Sequence, residues 1–218
     1  MMCPIRSMFA RVGSVIVVAA VSFVAGCAST PPTNFYTLSS VVPEKPTGSA
    51  QTPTVVVAIG PVSLPDYIDR PQIVTRESAY AVKVASYDQW AGPLSDMVPR
   101  VLIDNVAAAL PQDRVVGFPR VSGTSFDYRI AIDITRFDAD PSGAATLVAH
   151  WQIYDRVARR ALLVTDDTFV RQAANTSYEA IVAAMSGTLA DLSGRLADDV
   201  AATTTAARPA ADARPPTR

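Results

Sequence analysis

Residues 126–137, Phe126-Asp127-Tyr128-Arg129-Ile130-Ala131-Ile132-Asp133-Ile134-Thr135-Arg136-Phe137, alternate apolar and polar side chains more cleanly than any other part of this chain. Successive side chains of a strand point to opposite faces. The spacing therefore puts Phe126, Tyr128, Ile130, Ile132 and Ile134 on one face, and Asp127, Arg129, Asp133 and Thr135 on the other. That pattern predicts a half-buried strand. Residues 138–143 (DADPSG) read as a turn, and residues 145–154 and 161–171 as two further strands on either side of the basic residues 156–160. Three strands joined by short turns form a meander, most naturally antiparallel.

Downstream of the meander, Thr176-Ser177-Tyr178-Glu179 is a capping-box pattern opening a helix. Ile181, Val182, Met185, Leu189, Leu192, Leu196 and Val200 form its apolar stripe, which persists although Gly187 and Gly194 weaken it by about 1 kcal/mol each. From Ala201 the composition turns to Ala, Thr, Arg and Pro, and residues 201–218 read as a disordered tail. Upstream, Pro93 suits the first turn of another helix. Its stripe is Leu94, Met97, Val98, Val101, Leu102, Val106 and Leu110, with Pro99 inside the pattern and Pro111 ending it. Before that helix come a first short strand at 34–38, a Pro/Gly/Ser/Thr-rich loop at 42–53, a β-branched buried strand at 54–62, and a strand pair at 72–77 and 79–85. A short strand near 114–116 follows it.

These elements predict an α/β fold bordering on α+β: a single-domain sandwich with a mixed, largely antiparallel sheet packed by two main helices. Ile130, Ile132 and Trp151 should lie on sheet faces covered by the helices that carry Val101 and Leu189.

The N-terminus carries a different signal. Arg6 and Arg11 precede an apolar stretch, residues 12–25, which ends in Val24-Ala25-Gly26-Cys27. Fourteen helical residues rise only about 21 Å, short of the roughly 30 Å of a bilayer's hydrocarbon core. The length, the basic flank and the small pair before a cysteine read as a lipoprotein signal peptide over residues 1–26, with Cys27 as the acylation site. Residues 27–53 would then be the acylated N-terminus, tether and first strand, and residues 54–200 the folded domain. Several acyl chains on one cysteine make a durable anchor, whereas one chain is marginal. Ala28, rather than an aspartate, follows Cys27. That favours an outer-membrane address facing the periplasm.

Removing 26 of 218 residues leaves 192, enough for one domain with a substantial core. The loss of Arg6 and Arg11 leaves 17 basic against 20 acidic residues, a net charge of −3. This balance argues against nucleic acid as a partner and gives no electrostatic reason for adsorption to anionic lipid. With Cys3 in the signal and Cys27 acylated, no thiol is left for a disulfide or a thiolate metal site.

Residues able to do chemistry are sparse. His150 is the sole histidine, inside a predicted strand opposite the face of Leu147 and Trp151. There is no G-x-S-x-G elbow and no phosphate-cradling glycine loop. The acidic pairs Asp138/Asp140, Asp166/Asp167 and Asp198/Asp199 read as solvated turn, strand-edge or helix-surface residues. No catalytic residue, metal ligand or cofactor is expected, and the chain is not expected to be an enzyme. More distinctive is the stretch from Leu64-Pro65-Asp66-Tyr67 to Ile68-Asp69-Arg70-Pro71, followed by Trp90-Ala91-Gly92-Pro93-Leu94. Prolines fixing the backbone around aromatics suggest either a rigid loop covered by the tryptophan or a preformed rim in which Asp66, Tyr67 and Trp90 meet a partner or a lipid.

With the lipobox at Cys27 and the opening Phe35-Tyr36-Thr37-Leu38, these two segments make the chain resemble the PqiC-type (YmbA-like) ABC-transport auxiliary lipoproteins over roughly residues 27–200. The resemblance implies a compact α/β sandwich and no catalytic residues. It also implies a periplasmic lipoprotein working with an MCE-domain protein and an ABC permease and ATPase, in a conduit for phospholipid or another hydrophobic substrate that supports envelope integrity. It leaves assembly into a homo-oligomer open. The alternative function is an outer-membrane assembly or envelope-integrity lipoprotein that binds an outer-membrane protein or lipopolysaccharide.

Overall fold

A long strand, β6 (Tyr128–Ala139), organises the molecule. In the computed structural model, residues 31–41, 55–119 and 125–212 are described, with side chains to residue 206. The signal segment, Cys27, the loop at 42–53 and the end of the tail lie outside them. The other strands are β1 (Asn34–Tyr36), β2 (Val56–Ser63), β3 (Gln72–Arg76), β4 (Val82–Trp90), β5 (Arg114–Gly117), β7 (Ala144–Asp155) and β8 (Arg160–Gln172). The helices are α1 (Leu94–Ala109) and α2 (Tyr178–Asp212).

β6, β7 and β8 form the expected antiparallel meander. The other edge of β6 is shared. β2 pairs in parallel with its first half, from Val57↔Tyr128 to Ser63↔Asp133, and β3 meets its end through the single pair Thr75↔Ala139. From β2 the sheet continues to β5, and from β3 to β4 and β1. It is therefore one mixed sheet with a fork, and the chain between β2 and β3 fills the notch.

Both helices lie on one face and pack against each other. Ile130, Ile132 and Trp151 are buried beneath them, as are Val101 of α1 and Leu189 of α2. The indole Nε1 of Trp151 donates to Asp199 Oδ2 of α2 at 2.9 Å. The expected sandwich is thus a sheet with a helical layer on one side, and the alternation at 130, 132 and 134 sets its inward face.

Several boundaries differ from the sequence expectation. The opening strand stops at Tyr36, and Leu38 enters the core beyond it. β4 runs on past Ala85 to Trp90, because β1 returns to pair with its polar end through Asn34↔Asp88, Phe35↔Gln89 and Tyr36↔Trp90. Pro93 is the N-cap of α1 rather than a first-turn residue, and the helix continues through Pro99. At α2 the cap is Ser177, whose Oγ accepts the Ala180 N–H at 3.2 Å.

The tail expectation also changes. α2 extends through the alanine- and threonine-rich residues after 200 to Asp212. Alanine has the highest helix propensity, and the threonine hydroxyls donate back to carbonyls of the preceding turn: Thr203 to Asp199 at 2.7 Å, Thr205 to Ala201 at 2.8 Å. Val200 is the last buried residue of the stripe among those described, so composition, not burial, continues the helix.

Candidate functional site

The two distinctive sequence segments meet. Residues 64–71 form a tight turn in which Ile68 N donates to the Pro65 carbonyl at 3.1 Å, and Ile68 itself is buried in the core. Trp90 N donates to the Pro71 carbonyl at 2.7 Å, and Ala91 N to the Tyr36 carbonyl at 2.7 Å. Asp69 Oδ1 accepts the Ser95 N–H at 3.2 Å, in the first turn of α1. Pro93 has no side-chain capping bond, so this remote carboxylate satisfies one of the orphan donors and sits at the positive end of the helix.

Asp66, Tyr67 and Trp90 do not form an exposed rim. Asp66 is exposed, Tyr67 is half-buried and Trp90 is buried. Trp90 lies at the paired end of β4, where the returning strand β1 and the Pro71 carbonyl hold its backbone. Its indole is core. Of the three, only Asp66 is fully exposed.

The Tyr67 side chain instead leads to a group that the sequence did not disclose. Asp138, expected in a turn, lies in β6 and is completely buried. Its Oδ2 accepts Arg76 Nη2 at 2.8 Å, Arg76 Nε at 3.0 Å and Tyr67 Oη at 3.0 Å. Arg136 Nε donates to Oδ1 at 2.9 Å. Arg76 Nη2 also donates to Tyr67 Oη at 3.1 Å. Burial pushes the Tyr67 hydroxyl above its ordinary value, and the neighbouring Asp138 charge adds to that. The hydrogen bond to Asp138 raises the Arg76 guanidinium further against the opposing effect of burial. Two cations on one carboxylate leave the cluster with a net positive charge. Its position is structural: it locks the notch loop to the point where β3 and β6 share one backbone pair.

The uncovered face of the sheet carries a second arrangement. Ser63, Asp133, His150 and Asp166 occupy directly opposed positions on β2, β6, β7 and β8. Ser63 Oγ donates to Asp133 Oδ1 at 2.5 Å, and not to His150, so a nucleophile–base contact is not assembled in this row. His150 is exposed, on the side opposite Leu147 and Trp151. Of the other acidic residues singled out from sequence, Asp167 and Asp199 both bind Arg195, at 3.0 and 3.2 Å. A depression of about 280 Å³ runs past the row, lined by Pro61, Ala131, Gln152 and Val164. Another, of about 390 Å³, lies between α1 and β5. Pockets that enclose small molecules occupy about 300–1,000 Å³, and both depressions here are open to solvent. Among the described residues no group of three or more acidic, histidine or cysteine side chains could hold a metal ion, and no helix is long and apolar enough to cross a membrane.

A forked mixed sheet with helices on one face and a broad bare face on the other defines a small α/β domain. The chain belongs to the family of ABC-type transport auxiliary lipoprotein components, whose model matches residues 36–197. Its fold recurs in the crystal structure of an uncharacterized protein at 18% identity and a TM-score of 0.64, the match covering 78% of this chain and 99% of that one. Protein XCC0632 from Xanthomonas campestris is similar at 23% identity and a TM-score of 0.62, with 79% and 97% covered. No curated protein matches the chain. Family membership gives it a role in an ABC-type transport system as a lipoprotein component.

Proposed function

We propose that this chain is an outer-membrane-anchored periplasmic subunit of an MCE/ABC-type system that moves lipid or another hydrophobic substrate and so supports envelope integrity. The observation that carries this reading is the family match over residues 36–197, joined to a lipobox ending at Cys27. The subunit acts without catalysing a reaction. Its part is to present surfaces, because an acyl chain needs a continuous apolar enclosure and the two depressions are open and partly lined by charged side chains. The cargo then travels within partner proteins, with this domain docked on them from the outer membrane.

The test is affinity purification of the full chain from crosslinked cells. Capture of an MCE-domain protein together with its permease and ATPase is the expected outcome. Capture of outer-membrane assembly factors or lipopolysaccharide in their place would move the protein to the assembly class. Cys27→Ser should leave an unprocessed precursor that takes up no labelled fatty acid; a labelled mutant that still fractionates with the outer membrane would sink the anchor.

A further inference from the structure

Among the described residues, exposed large apolar side chains form two main groups: Val157, Val164 and Val170 on β8 and the turn before it, and a group at the β1–β4 corner that alone contains aromatic rings. Phe35 of β1 is 65% exposed, and Val82, Val84 and Tyr87 of β4 are each about two-fifths exposed. Register places most of this group on one face. Gln72 and Val74 lie two apart on β3, so their partners Gln89 and Val84 share a side of the sheet, and Phe35 is directly beside Gln89. That side is away from the helices, because Tyr36, of opposite parity, packs its ring 6.4 Å from Tyr178 of α2. Tyr80, fully exposed, lies in the turn that enters β4.

Within β1 and β4 themselves no charged side chain lies on that side; the neighbouring charge on the face is Arg76 of β3, opposite Val82, and it is engaged with Asp138. Asp88 is the one acidic residue in β1 and β4, and it is turned towards the helices, where Asn34 Nδ2 at 2.9 Å and Tyr36 Oη at 3.0 Å both donate to its Oδ1. Lys83 is the only basic residue in the two strands. β1 is an outermost strand, and it is also the first strand after Cys27. The seven residues from Cys27 to Asn34 reach at most about 25 Å when fully extended.

We infer that this corner, with Phe35 at its tip and Val82, Val84 and Tyr87 behind it, rests in the lipid interface of the membrane that holds the acylated Cys27. The inference rests on the anchored reading above. Aromatic side chains favour the headgroup level, where an apolar ring and a polar neighbour are both satisfied. The anchor supplies proximity, so a small apolar patch that would not bind a bilayer alone can sit there at high effective concentration. The consequence is a fixed orientation. The β1 corner faces lipid, and β8, five strands away at about 4.8 Å per strand, faces the periplasm.

The full acylated protein is reconstituted in vesicles of phosphatidylethanolamine and phosphatidylglycerol doped with bromine-labelled phosphatidylcholine. Phe35→Trp and Val164→Trp are the two reporters, and the wild type, with Trp90 and Trp151 buried, sets the background. Tyr87→Trp replaces the first reporter should it fold poorly. Val164 is exposed on β8 and serves as the distal control. The inference predicts that the reporter at 35 loses most of its added emission to the brominated lipid while the one at 164 keeps its own. Vesicle-bound protein whose reporter at 35 is unquenched overturns it, and a blue-shifted but unquenched reporter would assign the corner to a second copy instead. Equal quenching at both sites also overturns it. Failure of the whole protein to stay on vesicles would refute the anchored reading, and this inference with it.

Discussion

Arg76 at the end of β3 and Asp138 near the end of β6 stand 62 residues apart in sequence and 2.8 Å apart in space, beside the one backbone pair that joins their strands. The ion pair does what a backbone ladder does elsewhere. Without it the only link between β3 and β6 in the sheet would be the backbone pair Thr75↔Ala139.

Removing the carboxylate should therefore be severe. Breaking a buried ion pair by deleting one partner costs about 3–5 kcal/mol. Both guanidiniums keep some access to water, so Asp138→Ala should fall near the lower end. Chemical denaturation of the domain checks this, and a loss under 1 kcal/mol would mean that the fork is held by other contacts.

Tyr67→Phe separates the hydroxyl from the ring. At neutral pH the variant should lose about 1.5 kcal/mol, the low end for a hydrogen bond to a charged group. The Tyr67 hydroxyl is raised in the folded state, first by burial and then by the Asp138 charge. The folded protein thus holds its proton longer than the unfolded chain, and the resulting stability is complete below the unfolded value of about 10 and is lost as pH rises through the folded value. Tyr36, Tyr128 and Tyr178 are raised too, each mainly by burial, so the wild type should lose stability steeply in alkali. The gap between wild type and Tyr67→Phe should narrow above pH 10. A gap that stays constant would show that the hydroxyl does not titrate as the contact requires.

Asp69→Ala removes the carboxylate at the start of α1. Loss of a capping acceptor costs about 0.5–2 kcal/mol, and Asp69→Asn should recover most of it because the amide oxygen can still accept from Ser95. Melting temperatures of the two variants decide the matter. Equal losses would assign the effect to loop packing.

Ile132→Ala tests the inward face of the meander. Ile132 is buried opposite Trp151, and truncation of such a residue costs about 2–5 kcal/mol. An unchanged melting temperature would place that face in solvent.

The meander, both helices and the inward side of Ile130, Ile132 and Ile134 were legible because each depends on local periodicity. The period does not survive to the end of β6. A register shift between Ile134 and Arg136 resets the parity, so Phe137 joins the core opposite Leu147 and Asp138 turns to the other side. Strict alternation would have done the reverse. A bulge of this kind leaves no mark in composition, and Asp138 consequently resembled an ordinary turn residue. Which of the two readings of Trp90 holds was not legible for a related reason: it lies in the core beside β1, 54 residues earlier in the chain, and a local motif cannot show that a distant strand will return. Within the proline-fixed segment the backbone rigidity was legible, but not its use, which is to bind Trp90, cap α1 and close the notch.

A mechanical consequence follows from the way β1 is held. Any pull arriving along the chain before Asn34 reaches a strand with only three paired residues. Immediately after it, Leu38 is sunk in the core, Ser39 N donates to Ser186 Oγ of α2 at 3.3 Å, and Ser40 Oγ donates to Asn105 Oδ1 of α1 at 2.5 Å. Tension is thus divided at once among a sheet edge and two helices. The short strand acts as a strain relief for whatever load the preceding chain carries, at the cost of a few residues of clamp.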